Sequence, residues 1–148
     1  MKKTIYSLAI VATFLSSSAP LLAEESNPAI VHRQGIYGIA GGHMKALKSI
    51  LLLDFAAPKD LTFHAQGIVD GFSHMGNSFP PGSDKGETKA KPEIWTNNDK
   101  FKQLGKNAFE AANELVKATQ GSDKQVTLAA FKKLGEACKA CHDDFKSK

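Results

Sequence analysis

The sequence predicts an all-α protein in which four helices form an antiparallel bundle. Apolar residues recur every three or four positions along four separate stretches, as they do on the buried face of a helix. No stretch shows sustained strand alternation, and short links join the predicted helices. The length of 148 residues fits a single domain.

The first 23 residues have the three parts of a secretory signal. A basic start is followed by an apolar run over residues 5–15 and a small-residue end at Ala23. The run is shorter than the roughly 20 apolar residues that cross a bilayer. An N-terminal core helix is the alternative interpretation. We predict cleavage after Ala23 and export to the periplasm, which leaves residues 24–148 as the mature bundle.

The charge of the chain does not indicate a polyanionic partner. The formal net charge is +4, and without Lys2 and Lys3 of the predicted signal it falls to +2. So weak a bias gives no reason to expect nucleic acid or an anionic membrane surface as partner. A composition of 42% hydrophobic and 23% charged residues excludes a disordered chain.

The first predicted helix carries unusually many glycines. Pro28 suits its first turn, and an apolar stripe follows. Gly38, Gly41 and Gly42 each weaken a helix by up to about 1 kcal/mol. They therefore indicate that a bulky group packs closely against its backbone. The stripe consists of Ile36, Ile39, Ala40, Met44, Leu47, Ile50 and Leu51.

Turn residues delimit the other three helices. The second begins after Ala57-Pro58, and residues 77–92 have the composition of a loop. The third ends at Gly121. Ser122 is the predicted cap of the fourth, with Gln125 as its capping-box partner. The apolar stripes of these helices are Leu61, Ala65, Ile68, Phe72 and Met75; Phe101, Leu104, Ala108, Ala111, Leu115 and Ala118; and Phe131, Leu134, Cys138, Cys141 and Phe145.

Both cysteines of the chain lie in the motif Cys138-Lys139-Ala140-Cys141-His142. The spacing C-x-x-C-H is the attachment signature of c-type haem. Each of the two haem vinyl groups needs one thiol, and the next residue, His142, is then placed to ligate the iron. The motif predicts one covalent haem c per chain.

These cysteines have three alternative uses. A structural disulfide is possible after export but does not call for the histidine. A thioredoxin-like dithiol would lie in a βαβ context, which the helical pattern lacks. A zinc site would need further ligands, and the other histidines form no paired motif in sequence. These are His32, His43, His64 and His74.

With this motif near the end of a predicted bundle, the sequence resembles cytochrome c′ among the class II c-type cytochromes. The resemblance covers residues 29–148 and depends on three strings in order: Arg33-Gln34, Pro92-Glu93-Ile94-Trp95 and Gly135-Glu136-Ala137-Cys138-Lys139-Ala140-Cys141-His142-Asp143. It implies a four-helix bundle whose last helix carries the haem.

The resemblance also implies roles for residues around the haem. Arg33 and Gln34 match the pair near the haem propionates, whereas the alternative is an exposed polar pair at a helix start. Lys146 stands where many members carry an Arg, so the positive charge is kept but the planar guanidinium with its paired donors is lost. Trp95 is interpreted as a core or loop-closing aromatic rather than a haem contact.

The sixth coordination position of the iron decides the function. The distal residue of the family falls four after the Arg, which is Tyr37 here, whereas electron-transfer relatives place a Met there. A phenol ligates as phenolate, and its ordinary pKa is ~10. We therefore expect five-coordinate, high-spin iron. Met44 could ligate only after a helix shift, and it is interpreted as core; His43 and His64 are interpreted as surface or interface residues.

The resemblance implies a protein that binds nitric oxide and carbon monoxide at open iron in an apolar pocket, rather than an enzyme. A monohaem electron-transfer cytochrome with a sixth protein ligand is the alternative, and weak peroxidase-like activity stays open. The end of the first helix carries more apolar residues than one buried helix face needs: Leu51, Leu52, Leu53 and Phe55. This excess indicates either a homodimer through helices one and two or a corner where the bundle closes.

Overall fold

The computed structural model describes residues 27–148, so the predicted signal and the cleavage after Ala23 lie outside the described residues. The chain is all-α, as predicted. Within residues 27–148 the only β-type pairing is an isolated bridge between Ala90 and Lys146. The helices are α1 (Pro28–Leu52), α2 (Leu61–Ser73), α3 (Glu93–Thr96), α4 (Asn98–Thr119) and α5 (Lys124–Phe145), with a 3-10 turn at Pro58–Asp60.

The four long helices pack in the order α1, α2, α4 and α5 around one core. Short connections join α1 to α2 and α4 to α5, so each of these pairs runs antiparallel. Direct packing between α1 and α5 is sparse. A cleft lies between them at one end of the bundle. The buried core comprises Ala40, Leu47, Leu51, Ala65, Ile68, Ala111, Ala112, Leu115, Phe131 and Leu134.

The α1 stripe is correct except at one edge. Pro28 occupies the first turn, and Asn27 caps the helix by accepting a hydrogen bond from the Ala29 amide. Met44 packs against the core, as predicted. Ile39, however, is 55% exposed. It lies about 60° from Ile36 around the helix, on the margin of the stripe, where the other helices of residues 27–148 leave it exposed.

The sequence assignment of the α5 cap was wrong by one residue. Asp123, not Ser122, is the N-cap, and its Oδ1 accepts hydrogen bonds from the amides of Gln125 (2.8 Å) and Val126 (3.3 Å). A carboxylate at this position satisfies two free amides and also complements the positive end of the helix dipole, which Ser122 would do less well.

Replacing Asp123 with Ala should therefore lower the free energy of unfolding by about 1 kcal/mol. Ser122→Ala is the matched control and should change it by less than about 0.3 kcal/mol, because Ser122 is exposed and makes no capping bond. Urea unfolding followed by circular dichroism at 222 nm measures both. Equal losses in the two variants would contradict this assignment of the cap.

Candidate haem site

A cleft of about 240 Å³ opens between α1 and α5, and its walls come from five parts of the chain. Residues of α1, of the loop before α3, and of α3, α4 and α5 all contribute. It therefore brings together side chains that are far apart in sequence. The lining residues are Arg33, Gln34, Tyr37, Phe79, Thr88, Lys89, Ala90, Ile94, Phe101, Cys141, His142, Phe145 and Lys146.

The two cysteines lie one turn apart on the inner face of α5. Cys138 packs against the bundle core, and Cys141 lines the cleft. They form no disulfide. Burial raises the pKa of both thiols, and that of Cys141 reaches about 11. Reactive dithiols work as thiolates with a lowered pKa, so this environment does not suit thioredoxin-like chemistry.

His142 follows Cys141 directly and also lines the cleft, although much of its ring is accessible. Partial burial and the nearby Lys146 lower the pKa of this imidazole, while Asp143 opposes them. The neutral ring is the form that ligates metals. Two backbone hydrogen bonds hold the chain on either side of Lys146 against the loop before α3. The Lys91 amide donates to Phe145 O (3.0 Å), and the Ser147 amide donates to Lys89 O (2.8 Å).

Tyr37 of α1 reaches the same cleft from the opposite side. Its side chain is 39% exposed and lies edge-on to Phe79, with ring centroids 6.5 Å apart. Burial chiefly raises the pKa of its phenol, with a smaller contribution from Cys141, while Arg33 opposes the rise. The phenol is therefore neutral near pH 7 and lacks the anionic oxygen that would ligate iron.

Arg33 is 2% exposed, so the exposed alternative was wrong for this residue. Its Nη1 donates to Ser83 Oγ (2.8 Å) and Ser78 O (3.3 Å). Its Nη2 donates to Ser83 O (2.6 Å) and Thr88 Oγ1 (2.8 Å). The guanidinium also lies 4.9 Å from the centre of the Phe79 ring. Arg33 thus holds the loop before α3 against the cleft.

Gln34 is exposed, which agrees with the alternative interpretation, but its side chain does form a hydrogen bond. Its Nε2 donates to Glu87 O (2.8 Å), which ties the same loop to α1. Both members of the Arg33-Gln34 pair therefore border the cleft and hold the loop before α3 in place.

The Arg33→Ala variant should lose about 3 kcal/mol of unfolding free energy, because buried acceptors of the loop lose charged hydrogen bonds. Gln34→Ala removes one exposed bond and should lose about 0.5 kcal/mol. Guanidinium unfolding monitored by Trp95 fluorescence tests this, since Trp95 contacts the same loop. Similar losses in the two variants would show that the Arg33 network does not anchor the loop.

Sequence reasoning missed the aromatic wall of the cleft. Phe79, Phe101 and Phe145 form a chain of edge-to-face contacts, with centroid distances of 4.9 Å and 5.3 Å. Trp95 extends it at 6.1 Å from Phe79 and donates its Nε1 proton to Phe79 O (3.1 Å), so it closes the loop, as interpreted. The one signal for Phe79 is its position before Pro80-Pro81, within a segment otherwise poor in apolar residues.

These residues fit a porphyrin. The cleft supplies an apolar aromatic wall, Cys141 and a neutral imidazole, and Cys138 is one turn away on the same face. Ideal Cβ atoms at Gly38, Gly41 and Gly42 would contact nothing within 4 Å in the described chain, so α1 does not need these glycines for helix packing. None of the three is among the residues that line the cleft, so close packing of a bulky group on this backbone stays a prediction.

Comparison with known proteins decides the family, because the family model described as Cytochrome C′ matches residues 28–146. This chain belongs to the cytochrome c′ family. Cytochrome c′ from Rhodospirillum rubrum is 32% identical over 93% of this chain and 96% of its own length. The structure of cytochrome c prime from Shewanella frigidimarina has a TM-score of 0.80 at 27% identity, covering 84% of this chain and 98% of that one.

Two further cytochrome c′ structures carry gas ligands. A nitric oxide complex of a cytochrome c prime variant from Alcaligenes xylosoxidans matches with a TM-score of 0.74 and 25% identity, over 81% of this chain and 94% of that one. A carbon monoxide-bound variant of the same protein matches equally well. Gas binding is thus a property of structures similar to this one.

As a cytochrome c′, the chain binds haem c covalently, which decides among the four uses that the cysteine motif allowed. A zinc site has no support within residues 27–148, where no group of three or more His, Cys, Asp or Glu side chains is placed to hold an ion. In the same part of the chain, no helix has both the length and the apolar character of a bilayer span.

Proposed function

We propose that this cytochrome c′ is a periplasmic, non-enzymatic protein that binds nitric oxide and carbon monoxide at five-coordinate haem iron. Carriage or scavenging of nitric oxide is its physiological use, together with one-electron redox change. The observation that carries the proposal is that Tyr37, and no methionine of the described residues, lines one cleft with Cys141 and His142. A Met at this position would instead favour a six-coordinate electron carrier.

In this proposal Cys138 and Cys141 form the thioethers and His142 is the axial ligand. When bound, ferrous haem with a free coordination position takes up small neutral gases. Tyr37 keeps that position free because its burial disfavours the phenolate. Phe79 and the rest of the aromatic wall keep the pocket apolar, which disfavours the polar complex with dioxygen.

Arg33 and Gln34 supply donors on the propionate side. Both terminal nitrogens of Arg33 are engaged with Ser78, Ser83 and Thr88, which leaves Nε and the positive charge for a propionate. Gln34 lies at the exposed edge of the cleft and donates to Glu87 O. The pair therefore acts on the haem both by its charge and by fixing the loop that covers it.

The electron-transfer alternative requires a sixth protein ligand, and Met44 is the nearest methionine to Tyr37 in sequence on α1. Met44 is half-buried and packs against the bundle core, and it does not line the cleft. Its use as a ligand would require α1 to shift and to lose these core contacts. The gas-binding function is therefore the one that the geometry favours.

Titration of the dithionite-reduced holoprotein with nitric oxide and with carbon monoxide tests the function. We expect saturable changes in the Soret band with each gas, and little change with dioxygen before oxidation. A reduced spectrum that neither gas alters would contradict the proposal.

We further propose a homodimer through α1 and α2. Leu51 is buried in the core, but Leu52, Leu53 and Phe55 at the end of α1 are exposed, as is Phe63 at the start of α2. Four apolar side chains at one end of a helix pair form more exposed apolar surface than isolated surface residues do, and a second copy of the chain would cover it.

The double variant Leu53→Glu, Phe55→Glu should therefore sediment as a monomer at concentrations where the native protein is a dimer. Phe109→Glu is the matched control, because Phe109 is exposed on α4, away from the proposed interface. Sedimentation equilibrium gives the masses. Either of two results would contradict this interface: a native protein that is monomeric at about 100 µM, or a double variant that is still a dimer.

A further inference from the structure

His43 of α1 and His64 of α2 are in direct contact on the side of the bundle formed by these two helices. Their Nδ1 atoms are 3.0 Å apart, and their ring centroids are 5.3 Å apart with an angle of 56° between the planes. Both side chains are half-buried, and neither lines the haem cleft. Their interpretation as surface or interface residues did not include this contact; His43 lies seven residues from both Ile36 and Ile50 and so shares their face of α1.

Gly67 of α2 fixes the orientation of the His43 ring. An ideal Cβ at Gly67 would lie 2.3 Å from His43 Nε2 and 2.6 Å from Cε1, so the ring occupies the space that any other residue would fill. The Nε2 edge of His43 thus faces the α2 backbone, which turns Nδ1 toward His64. Phe63 packs edge-on against both rings, with centroids 5.6 Å and 5.1 Å away.

We propose that His43 and His64 bind a divalent transition-metal ion, Cu²⁺ in preference to Ni²⁺ or Zn²⁺, through their two Nδ1 atoms. Metal–nitrogen bonds of about 2.0–2.1 Å separate two neighbouring ligand nitrogens by about 2.9 Å in a square-planar site and about 3.3 Å in a tetrahedral one. The observed 3.0 Å falls between these values, so the two Nδ1 atoms already have the spacing of neighbouring ligands on one ion, and only the His64 ring, which Gly67 does not hold, needs to turn its lone pair onto it.

The surroundings of His43 favour the unprotonated ring that such an ion needs. Burial and then the proximity of His64 lower the pKa of His43, while Asp70 opposes them. When the ion binds, the proton of the Nδ1–Nδ1 hydrogen bond moves to Nε2 of the same ring, so both rings ligate as neutral imidazoles. No third His, Cys, Asp or Glu joins the group in residues 27–148, so water completes the coordination. Imidazole pairs suit Cu²⁺ best among these ions by the Irving–Williams order.

Calorimetric titration of the oxidised holoprotein with CuSO₄ at pH 7.5 tests the site, together with the nitrogen hyperfine pattern of the Cu²⁺ paramagnetic resonance signal. We expect one tight Cu²⁺ per chain coordinated by two imidazole nitrogens. His43→Ala and His64→Ala should each weaken binding about 10- to 100-fold, because the remaining ring no longer chelates. The matched control is His74→Ala, which removes an exposed histidine outside the pair and should leave the affinity unchanged.

Gly67→Ala probes the geometry with both ligands still present. The added methyl group must displace the His43 ring, so Cu²⁺ affinity should fall although no ligand is lost. Cu²⁺ should also raise the midpoint of thermal unfolding in the native protein but not in His64→Ala, because the ion joins α1 to α2. Affinity should fall as the pH is lowered from 7.5 to 5.5, two illustrative values, since protons compete for both rings.

Two results would overturn the proposal. One is native Cu²⁺ binding that is no tighter than that of a His43→Ala, His64→Ala double variant. The other is an equal loss of affinity in His74→Ala, which would mean that the ion binds exposed histidines without selection. Circular dichroism of each variant establishes that a lost affinity does not come from a lost fold.

Discussion

A double variant, Cys138→Ala with Cys141→Ala, is expected to carry no covalently attached haem. Cys138 and Cys141 are the only thiols of the chain, and each of the two thioether bonds needs one of them. The mass of the purified chain under denaturing conditions measures attachment directly. The native chain should carry the added mass of one haem, and the double variant should have the mass of the polypeptide alone.

His142→Ala separates attachment from ligation and serves as the matched control. It keeps both thiols, so the haem should stay covalently bound while the axial imidazole is lost. Haem that remains covalently attached to the double variant would contradict the assignment of the cysteines. Spectroscopic signals of axial histidine that persist in His142→Ala would contradict the assignment of the ligand.

Replacing Tyr37 with Met is expected to convert the iron from five-coordinate, high-spin to six-coordinate, low-spin, and to suppress nitric oxide binding. Tyr37 reaches the cleft from α1, opposite the helix that carries Cys141 and His142. A thioether needs no deprotonation to ligate iron, whereas the phenol, with its raised pKa, would have to give up its proton first. Absorption spectra of the reduced variant show the change as sharp, separated α and β bands.

Two further variants sharpen this test. Tyr37→Phe removes the hydroxyl but supplies no ligand, so its iron should stay high-spin. Met44→Leu replaces a core side chain with one of similar volume, so its spectrum should match that of the native protein. A high-spin Tyr37→Met protein would show that Tyr37 does not face the iron. A spectral change in Met44→Leu would point to Met44 instead.

Elements with a local sequence signal could be predicted well. The helices follow from apolar periodicity and from Pro28 at the start of α1, and the cysteine motif is contiguous, so one turn of α5 presents it as a unit. The cap of α5 shows that such signals locate the end of a helix only to within about one residue. Ser122 and Asp123 are both good capping residues, and only the backbone path selects Asp123.

Features that depend on distant contacts could not be predicted. Arg33 binds loop residues 45 to 55 positions away, so its burial depends on a loop with no periodic pattern. The contact between His43 and His64 depends on the register of α1 against α2 and on the space above Gly67. The spacing of His43 from Ile36 and Ile50 does place it on the buried face, but nothing in the sequence identifies its partner.

The most direct test of the central claim is the absorption spectrum of the reduced, ligand-free holoprotein, followed by the addition of nitric oxide. We predict one broad band in the α/β region, typical of five-coordinate, high-spin iron, which changes when the gas is added. Sharp, separated α and β bands that do not respond to nitric oxide would mean a sixth protein ligand. That result would contradict the open site opposite His142 and would favour electron transfer.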